Sequence, residues 1–171
     1  MKAIQTIVSA CATTALLVGC SSGLNRSKEE ALNSKLGIVM NPVRDGVEMR
    51  LQETTLFEFD AATMRPQSTA MLDRVAALLN RSTRPVMIEG HTDNVGALDY
   101  NTTLSEARAN AVGDALVERG VSAARIKTKG MAYLEPIASN GTPEGRALNR
   151  RVEIFVKTES EDTLMGKLKR K

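Results

Sequence analysis

The sequence predicts an α+β fold in which two helices pack on one side of a sheet. Val47, Met49 and Leu51 alternate with polar residues, as is typical of strands. In the same way Val152, Ile154 and Val156 alternate with Glu153, Phe155 and Lys157. Between them, two longer stretches carry apolar residues at the i, i+3, i+4 and i+7 spacing of one helical face. A short β-prone run precedes the second of these stretches and another follows it. Strands and helices therefore alternate along a single domain.

The first strand and the first helix occupy the early part of this domain. Asp45-Gly46 is a turn signal immediately before the first alternating run. Phe57 follows that run and is expected in the core. Pro66 suits the first turn of a helix, which ends near Arg81. The apolar stripe that predicts this helix consists of Leu72, Val75, Ala76 and Leu79.

The centre of the chain joins a strand to a helix through a polar loop. A β-prone run ends at Gly90, and an apolar helical stripe begins at Leu104. Thr103 and Glu106 have the spacing of a capping box, which predicts that the helix starts there. Gly120 suits the position that follows a helix C-terminus. The sequence thus predicts a strand, a loop and a helix in that order.

The rest of the domain is predicted to contain a strand, a loop, a short helix and a last strand. The strand covers residues 126–130 and the short helix residues 143–148. The last strand follows at residues 152–157. Asn149 and Arg151 are expected to fix the chain at the start of this strand.

Residues 1–19 have the pattern of an export signal. Lys2 supplies a positive charge, and the apolar stretch after it is too short to span a membrane. Leu17-Val18-Gly19-Cys20 resembles the bacterial lipobox, in which the cysteine is acylated and begins the mature chain. This resemblance implies lipid on Cys20. Ser21, in place of aspartate, implies an outer-membrane anchor with the domain in the periplasm. The alternative is an ordinary secretory signal with an incidental cysteine.

Two flanking segments are harder to assign. Residues 20–42 are polar at first and apolar towards their end, so they form either a tether or a small structured cap on the domain. Residues 158–171 mix acidic and basic side chains and are expected to be a mobile tail.

Composition argues against several classes of function. The formal net charge of +3 is too small for a concentrated basic face, so no nucleic-acid partner is expected. His91 is the only histidine, whereas zinc sites use several His or Cys ligands. We therefore predict no metal site, no cofactor and no catalytic residue, and His91 is expected to support the loop through hydrogen bonds.

Several ordered motifs resemble the OmpA-like domain family. The resemblance covers about residues 47–156. It implies a βαβαββ sandwich whose helices pack on one face of a mixed four-stranded sheet, and we place this domain at residues 43–157. The motifs are Gly90-His91-Thr92-Asp93-Asn94-Val95-Gly96, Asn101, Leu104-Ser105-Glu106-Ala107-Arg108-Ala109 and Gly145-Arg146-Ala147-Leu148-Asn149-Arg150-Arg151-Val152-Glu153-Ile154.

The resemblance implies that the polar loop binds meso-diaminopimelate in the stem peptide of peptidoglycan. The free end of diaminopimelate carries an ammonium and a carboxylate on one carbon, so its site needs one fixed anion and one fixed cation. The resemblance assigns Asp93 to the ammonium and Arg108 to the carboxylate, with which a planar guanidinium can form two parallel hydrogen bonds. The alternative is an ordinary salt bridge between these two residues that braces the loop.

Five further residues are weaker candidates for the same site. Asn101, Leu104 and Arg150 occupy family positions that contact the stem peptide. Phe59 and Asp60 could line the floor of the pocket. For these two, a buried aromatic and a capping aspartate are slightly favoured alternatives.

The lipobox and the loop together predict a lipid-anchored outer-membrane protein that binds peptidoglycan and tethers the membrane to the cell wall without catalysis. The alternative is a regulatory or secretion-system accessory lipoprotein that uses wall binding to station itself and acts through an envelope protein partner. Residues 36–43 and the tail after Thr158 are where such a partner could dock.

Overall fold

The structure, a computed structural model, describes residues 23–168, so the predicted signal peptide and Cys20 lie outside the described residues. No helix in this described part has both the length and the apolar character needed to span a membrane. Short 3-10 turns occur at Pro66–Ser68 and Ala123–Arg125. The helices and strands in chain order are α1 (Arg26–Lys35), β1 (Val39–Val43), β2 (Gly46–Gln52), α2 (Glu53–Leu56), α3 (Thr69–Leu79), β3 (Val86–His91), α4 (Leu98–Val117), β4 (Ile126–Ala132), α5 (Pro143–Asn149), β5 (Arg151–Lys157) and α6 (Glu161–Met165).

The strands form one mixed sheet in the order β1-β2-β5-β3-β4. Strands β3 and β4 are parallel, and the other neighbours are antiparallel. The predicted α+β class is confirmed, but the predicted number of four strands is wrong. The fifth strand is β1, which pairs with β2 at the edge of the sheet. Its Pro42 is tolerated there because an edge strand can lack one backbone donor.

The core lies between the sheet and helices α3 and α4. Phe57 is buried, as predicted, and α3 follows a 3-10 turn that begins at Pro66. Full burial of a large apolar side chain contributes about 1.5–3 kcal/mol to folding. The alternation predicted which side chains of β2 and β5 point inward, and all of them are buried: Val47, Met49, Leu51, Val152, Ile154 and Val156. They belong to one core cluster with the apolar stripe of α3, which consists of Leu72, Val75, Ala76 and Leu79.

Helix α4 begins earlier than the sequence predicts. It starts at Leu98, so Thr103 lies inside it. The Thr103 hydroxyl donates to the carbonyl of Asp99 at 3.0 Å, so the predicted capping box is wrong. The early start places Arg108 about three turns into the helix instead of one. Gly120 follows the helix with a φ of +85°, as expected of a C-terminal glycine.

The segments before and after β1–β5 pack against each other. Arg26 of α1 forms an ion pair with Glu161 of α6, and Leu164 of α6 is completely buried. Residues 26–42, for which a tether and a structured cap were the two alternatives, form a helix and most of an edge strand. The expectation of a mobile tail is wrong for residues 161–165, because they form a helix anchored by this burial.

Candidate functional site

A cavity of about 290 Å³ lies where the end of β3, the first turns of α4, helix α2 and the start of β5 meet. Residues as far apart in the chain as Glu53 and Arg150 touch there. Glu53, Thr92, Val95 and Tyr100 border the cavity and were not predicted. All seven predicted site residues also border it: Phe59, Asp60, Asp93, Asn101, Leu104, Arg108 and Arg150.

The close approach of β3 to α4 positions the loop that carries Asp93. A Cβ atom at Gly90 would collide with the carbonyl oxygen of Ser105 in α4, so only glycine fits at this crossing. The loop that follows is held by its own hydrogen bonds. Asp93 Oδ1 accepts from the backbone N–H of Val95 at 3.0 Å, and the side-chain amide of Asn101 donates to the carbonyl of Val95 at 2.8 Å. The Asp93 carboxylate is therefore fixed in position at the cavity wall.

Arg108 is the most deeply buried cation of the cavity, with only 2% of its surface exposed. Its Nε donates to the carbonyl of Ala61 at 2.9 Å, and its guanidinium carbon lies 5.4 Å from the centre of the Phe57 ring. Its Nη2 forms an ion pair with Glu53 Oε1 at 2.5 Å. Among residues 23–168, this Nη2 has no hydrogen-bond partner. The arginine is thus held in place by a hydrogen bond, an aromatic contact and an ion pair.

Glu53 is the charged residue of the cavity that the sequence does not reveal. It belongs to the four-residue helix α2, and its Oε2 accepts from Arg150 Nε at 2.9 Å. Arg150 Nη1 in turn donates to Asp93 Oδ2 at 2.6 Å. Asp93, Arg150, Glu53 and Arg108 therefore form a chain of alternating charges. We call these four residues the charge chain.

Asp93 and Arg108 both border the cavity, but within the charge chain each is paired with another residue of the protein. Asp93 is paired with Arg150, and Arg108 with Glu53, so the alternative of a salt bridge between Asp93 and Arg108 is wrong as well. Burial lowers the pKa of Arg150, but hydrogen bonds to Asp93 and Glu53 outweigh burial and raise it. Arg150 therefore stays charged.

Phe59 and Asp60 lie at the mouth of the cavity. Phe59 is 93% exposed, so the alternative of a buried aromatic is wrong. Asp60 has a φ of +55° and accepts a hydrogen bond from the hydroxyl of Tyr100 at 2.7 Å, so it joins the segment after α2 to α4 and caps no helix. Leu104 borders the cavity from the same helix.

Three polar residues near the site have structural environments. The Asn149 amide accepts from the N–H groups of Ile137 and Ala138, and Arg151 pairs with Glu153 at 2.6 Å, so both fix the chain as predicted. His91 is buried, and burial together with the charge of Arg151 lowers its pKa to about 4. Neither ring nitrogen has a hydrogen-bond partner within the described residues, so the predicted hydrogen-bonding support of the loop is wrong.

Comparisons with known proteins agree with this architecture. The chain is 37% identical over 131 residues to the probable lipoprotein YiaD of Escherichia coli, a match that covers 74% of this chain but only 60% of YiaD. It is 34% identical over 150 residues to the peptidoglycan-associated lipoprotein of Pseudomonas aeruginosa, which covers 82% of this chain and 89% of that protein. The solved structure of the cell wall anchor of the T6SS from P. aeruginosa superimposes with a TM-score of 0.68 at 33% identity, and covers 78% of this chain and 96% of that chain.

The match to a family model defines which part of the chain is shared. A model of the OmpA family matches residues 56–150, which include Asp93, Arg108 and Arg150 of the charge chain. Glu53 lies just before the matched residues. The chain therefore belongs to the OmpA family.

Proposed function

We propose that this protein binds peptidoglycan non-covalently and holds the free end of a meso-diaminopimelate residue in the cavity. The observation that carries the proposal is the charge chain, which presents two carboxylates and two guanidiniums in alternation along one cavity wall. The names of two relatives support it, since one is a peptidoglycan-associated lipoprotein and the other a cell wall anchor.

The zwitterionic end of diaminopimelate fits two members of the charge chain. Its carboxylate is assigned to Arg108, whose Nη2 lacks a hydrogen-bond partner among the described residues. An incoming carboxylate can accept charge-assisted hydrogen bonds from this guanidinium, whose charge it would share with Glu53. The ammonium is assigned to Asp93, whose position is already fixed by Val95. Neither side chain has to be ordered when the ligand arrives.

The same argument predicts selectivity between types of peptidoglycan. A stem peptide with lysine at the diaminopimelate position has the ammonium but no carboxylate on the same carbon. When such a peptide is bound, no ligand carboxylate reaches Arg108, which remains buried. We therefore assign the protein to walls of the diaminopimelate type.

The test of this proposal is cosedimentation with purified sacculi. Asp93→Asn and Arg108→Lys keep the size of each side chain and should lose most binding. Asp114→Asn and Arg44→Lys change exposed residues away from the cavity and serve as matched controls that should bind like the unmodified protein. Undiminished binding by both cavity variants would refute the proposal. A second arm with lysine-type sacculi tests the predicted selectivity.

We also propose that Cys20 carries the lipid that anchors the protein in the outer membrane, with the domain in the periplasm. Five residues separate Cys20 from the first residue of α1, so the six steps between these two residues span at most about 22 Å when fully extended. The domain would therefore sit close to the membrane and meet the wall there. Metabolic palmitate labelling of the unmodified protein and of Cys20→Ala, followed by membrane fractionation, tests the anchor.

A second candidate is an accessory lipoprotein that acts through an envelope protein partner. Two observations favour it, the similarity to a T6SS cell wall anchor and the position of β1, which pairs only with β2 among the described strands. Val39 and Val43 of β1 are 48% and 38% exposed. Charged substitutions at both positions should remove a copurifying partner and leave wall binding intact. A protein that acts as a tether alone would show no change.

Both candidates act without catalysis. Incubation of sacculi with the purified protein should release no soluble muropeptides, whereas release would point to a hydrolase.

A further inference from the structure

A second cluster of polar side chains lies on the sheet face that points away from α3 and α4. Glu89 and Glu153 face each other across β3 and β5, and His91 follows two residues along β3. His91 Nε2 lies 3.5 Å from Glu153 Oε2 and 4.0 Å from Glu89 Oε2. One donor atom from each of the three side chains lies within 4.8 Å of the other two. The cluster is separate from the cavity described above.

His91 is the first sign that this cluster has a ligand. Its side chain is 1% exposed, and neither ring nitrogen has a hydrogen-bond partner among residues 23–168. Buried polar groups are nearly always paired, so an unpaired imidazole that faces two carboxylates calls for an explanation. A bound cation would provide one, because a neutral imidazole nitrogen is a common metal ligand.

The two glutamates are arranged so that each has an oxygen free for such a cation. Glu153 Oε1 is held by Arg151 at 2.6 Å and by Arg50 at 3.2 Å, which leaves Oε2 towards His91. Glu89 has no arginine or lysine within ion-pair distance among the described residues, and its side chain is 19% exposed. Glu153 thus supplies an oriented oxygen, and Glu89 supplies one at the solvent edge, through which an ion can enter.

The arginines of this sheet face are already matched by carboxylates. Arg50 pairs with Glu48 at 2.7 Å and with Glu153 Oε1 at 3.2 Å, and Arg151 pairs with Glu153 Oε1 at 2.6 Å. The charges of Lys129, Lys157 and Glu135 also act on Glu89. The cluster would therefore hold a cation through its three donor atoms and not through a surplus of negative charge.

Against the expectation that a single histidine excludes a metal site, we propose that Glu89, His91 and Glu153 form a binding site for a divalent transition metal ion such as Zn²⁺. One imidazole nitrogen and two carboxylate oxygens suit Zn²⁺ or Co²⁺ better than Mg²⁺ or Ca²⁺, which prefer oxygen ligands alone. Tetrahedral bonds of about 2.0–2.1 Å place neighbouring donor atoms roughly 3.4 Å apart. The two separations from His91 Nε2 are 3.5 and 4.0 Å and the third is within 4.8 Å, so rotation of the glutamate side chains would have to bring the donor atoms to this spacing.

Calorimetric titration of the full, untagged chain with Zn²⁺ tests the site, and the optical spectrum of the Co²⁺ form gives a second readout. Substitution of a residue that only supports a metal ligand weakens metal binding about 10–100-fold. His91→Gln and Glu89→Gln each change a ligand itself, so each should weaken Zn²⁺ binding by at least about 100-fold. Both cysteines remain in every variant, so their contribution cancels. Glu144→Gln, at an exposed position of α5, is the matched control and should bind like the unmodified protein.

Two outcomes would overturn the site. One is the absence of Zn²⁺ binding by the unmodified protein at millimolar metal, and the other is equal affinity in the unmodified protein and Glu89→Gln. Because Glu89 makes no ion pair with an arginine or lysine among the described residues, Glu89→Gln keeps the test valid even if His91→Gln fails to fold. Circular dichroism of each variant establishes that it is folded.

Discussion

Arg150 Nη1 lies 2.6 Å from Asp93 Oδ2, so the anion assigned to the ligand ammonium is already paired with a cation of the protein. The same guanidinium also contacts Glu53, 2.9 Å from its Nε. A ligand ammonium must therefore share Asp93 with Arg150. Because Arg150 keeps Glu53 as its second partner, this sharing leaves no arginine of the charge chain without an anion. The cavity can thus accept a zwitterion without a large rearrangement of its own charges.

Arg108→Lys should weaken binding to diaminopimelate-type sacculi. A charge-assisted hydrogen bond contributes about 1.5–3 kcal/mol, so its loss corresponds to roughly a 10–150-fold lower affinity. Lysine keeps the positive charge but lacks the planar fork that matches a carboxylate. Quantitative cosedimentation checks this, with Arg44→Lys as the control. Equal affinities for the two variants would show that charge alone, without guanidinium geometry, accounts for binding.

Glu53→Gln should lower both the stability and the binding affinity of the protein. Glu53 contacts Arg108 at 2.5 Å and Arg150 at 2.9 Å, so its neutralisation leaves two partly or fully buried guanidiniums with a weaker partner. We expect a loss of about 1–3 kcal/mol in the free energy of unfolding. Urea denaturation measures this loss, and the cosedimentation assay measures the affinity.

The control for this prediction is Glu58→Gln. Glu58 lies five residues away, and its side chain is 54% exposed beside Arg65. Exposed ion pairs contribute about 0–1 kcal/mol, so this variant should be nearly neutral. If both variants were neutral, Glu53 would not support the arginines of the cavity.

The sequence predicts the parts of the fold that have a clear period, and it misses parts whose pattern is weak or misleading. The alternation in β2 and β5 identifies two strands because one face of each is buried. Strand β1 has no such alternation and contains Pro42, so it gives no strand signal. The first turn of α4 adds nothing to the buried apolar stripe, because Leu98 and Tyr100 are exposed, so the spacing of Thr103 and Glu106 inside the helix imitates a capping box.

The candidate site shows the same limit. Asp93 and Arg108 lie in a motif and can be found from the sequence, whereas Glu53 follows β2 without one. Its partners lie 55 and 97 positions further along the chain. Only the packing of the sheet brings such distant charges together, so the pairing of Asp93 with Arg150 cannot be read from spacing.

Gly90→Ala should displace β3 from α4 and disturb the cavity. The added methyl group would collide with the backbone of Ser105, which cannot move without shifting the helix. Overpacking of this kind costs about 1–3 kcal/mol. Thermal unfolding and cosedimentation should both report the change. Gly23→Ala, where nothing lies within 4 Å of the new methyl group, is the control and should be unaffected.

Leu164→Ala should destabilise the whole domain even though it lies outside the residues matched to the family. Leu164 is completely buried, and the truncation of a buried leucine to alanine costs about 2–5 kcal/mol. Leu168→Ala is the control, because that side chain is 66% exposed and should change stability by less than about 0.5 kcal/mol. Equal unfolding midpoints for the two variants would mean that α6 is dispensable.

Stability should fall in acid partly through Glu29 of α1. Burial by itself raises the pKa of Glu29, but hydrogen bonds from Arg81 and Arg74 outweigh burial and hold the pKa below its ordinary value of 4.5. A carboxyl group whose pKa is depressed in the folded state adds stability above its unfolded pKa. That stability is lost as the pH falls through the folded value.

The difference in unfolding free energy between the unmodified protein and Glu29→Gln should therefore be largest near neutral pH and shrink as the pH falls below 4.5. Urea denaturation at a series of pH values measures it, with Ser27→Ala as a control for substitution on an exposed position of the same helix. The neutral-pH difference should be about 1–3 kcal/mol, since two charge-assisted hydrogen bonds are weakened. A difference that stays constant from neutral pH to strong acid would show that the charge of Glu29 does not hold α1 to the domain.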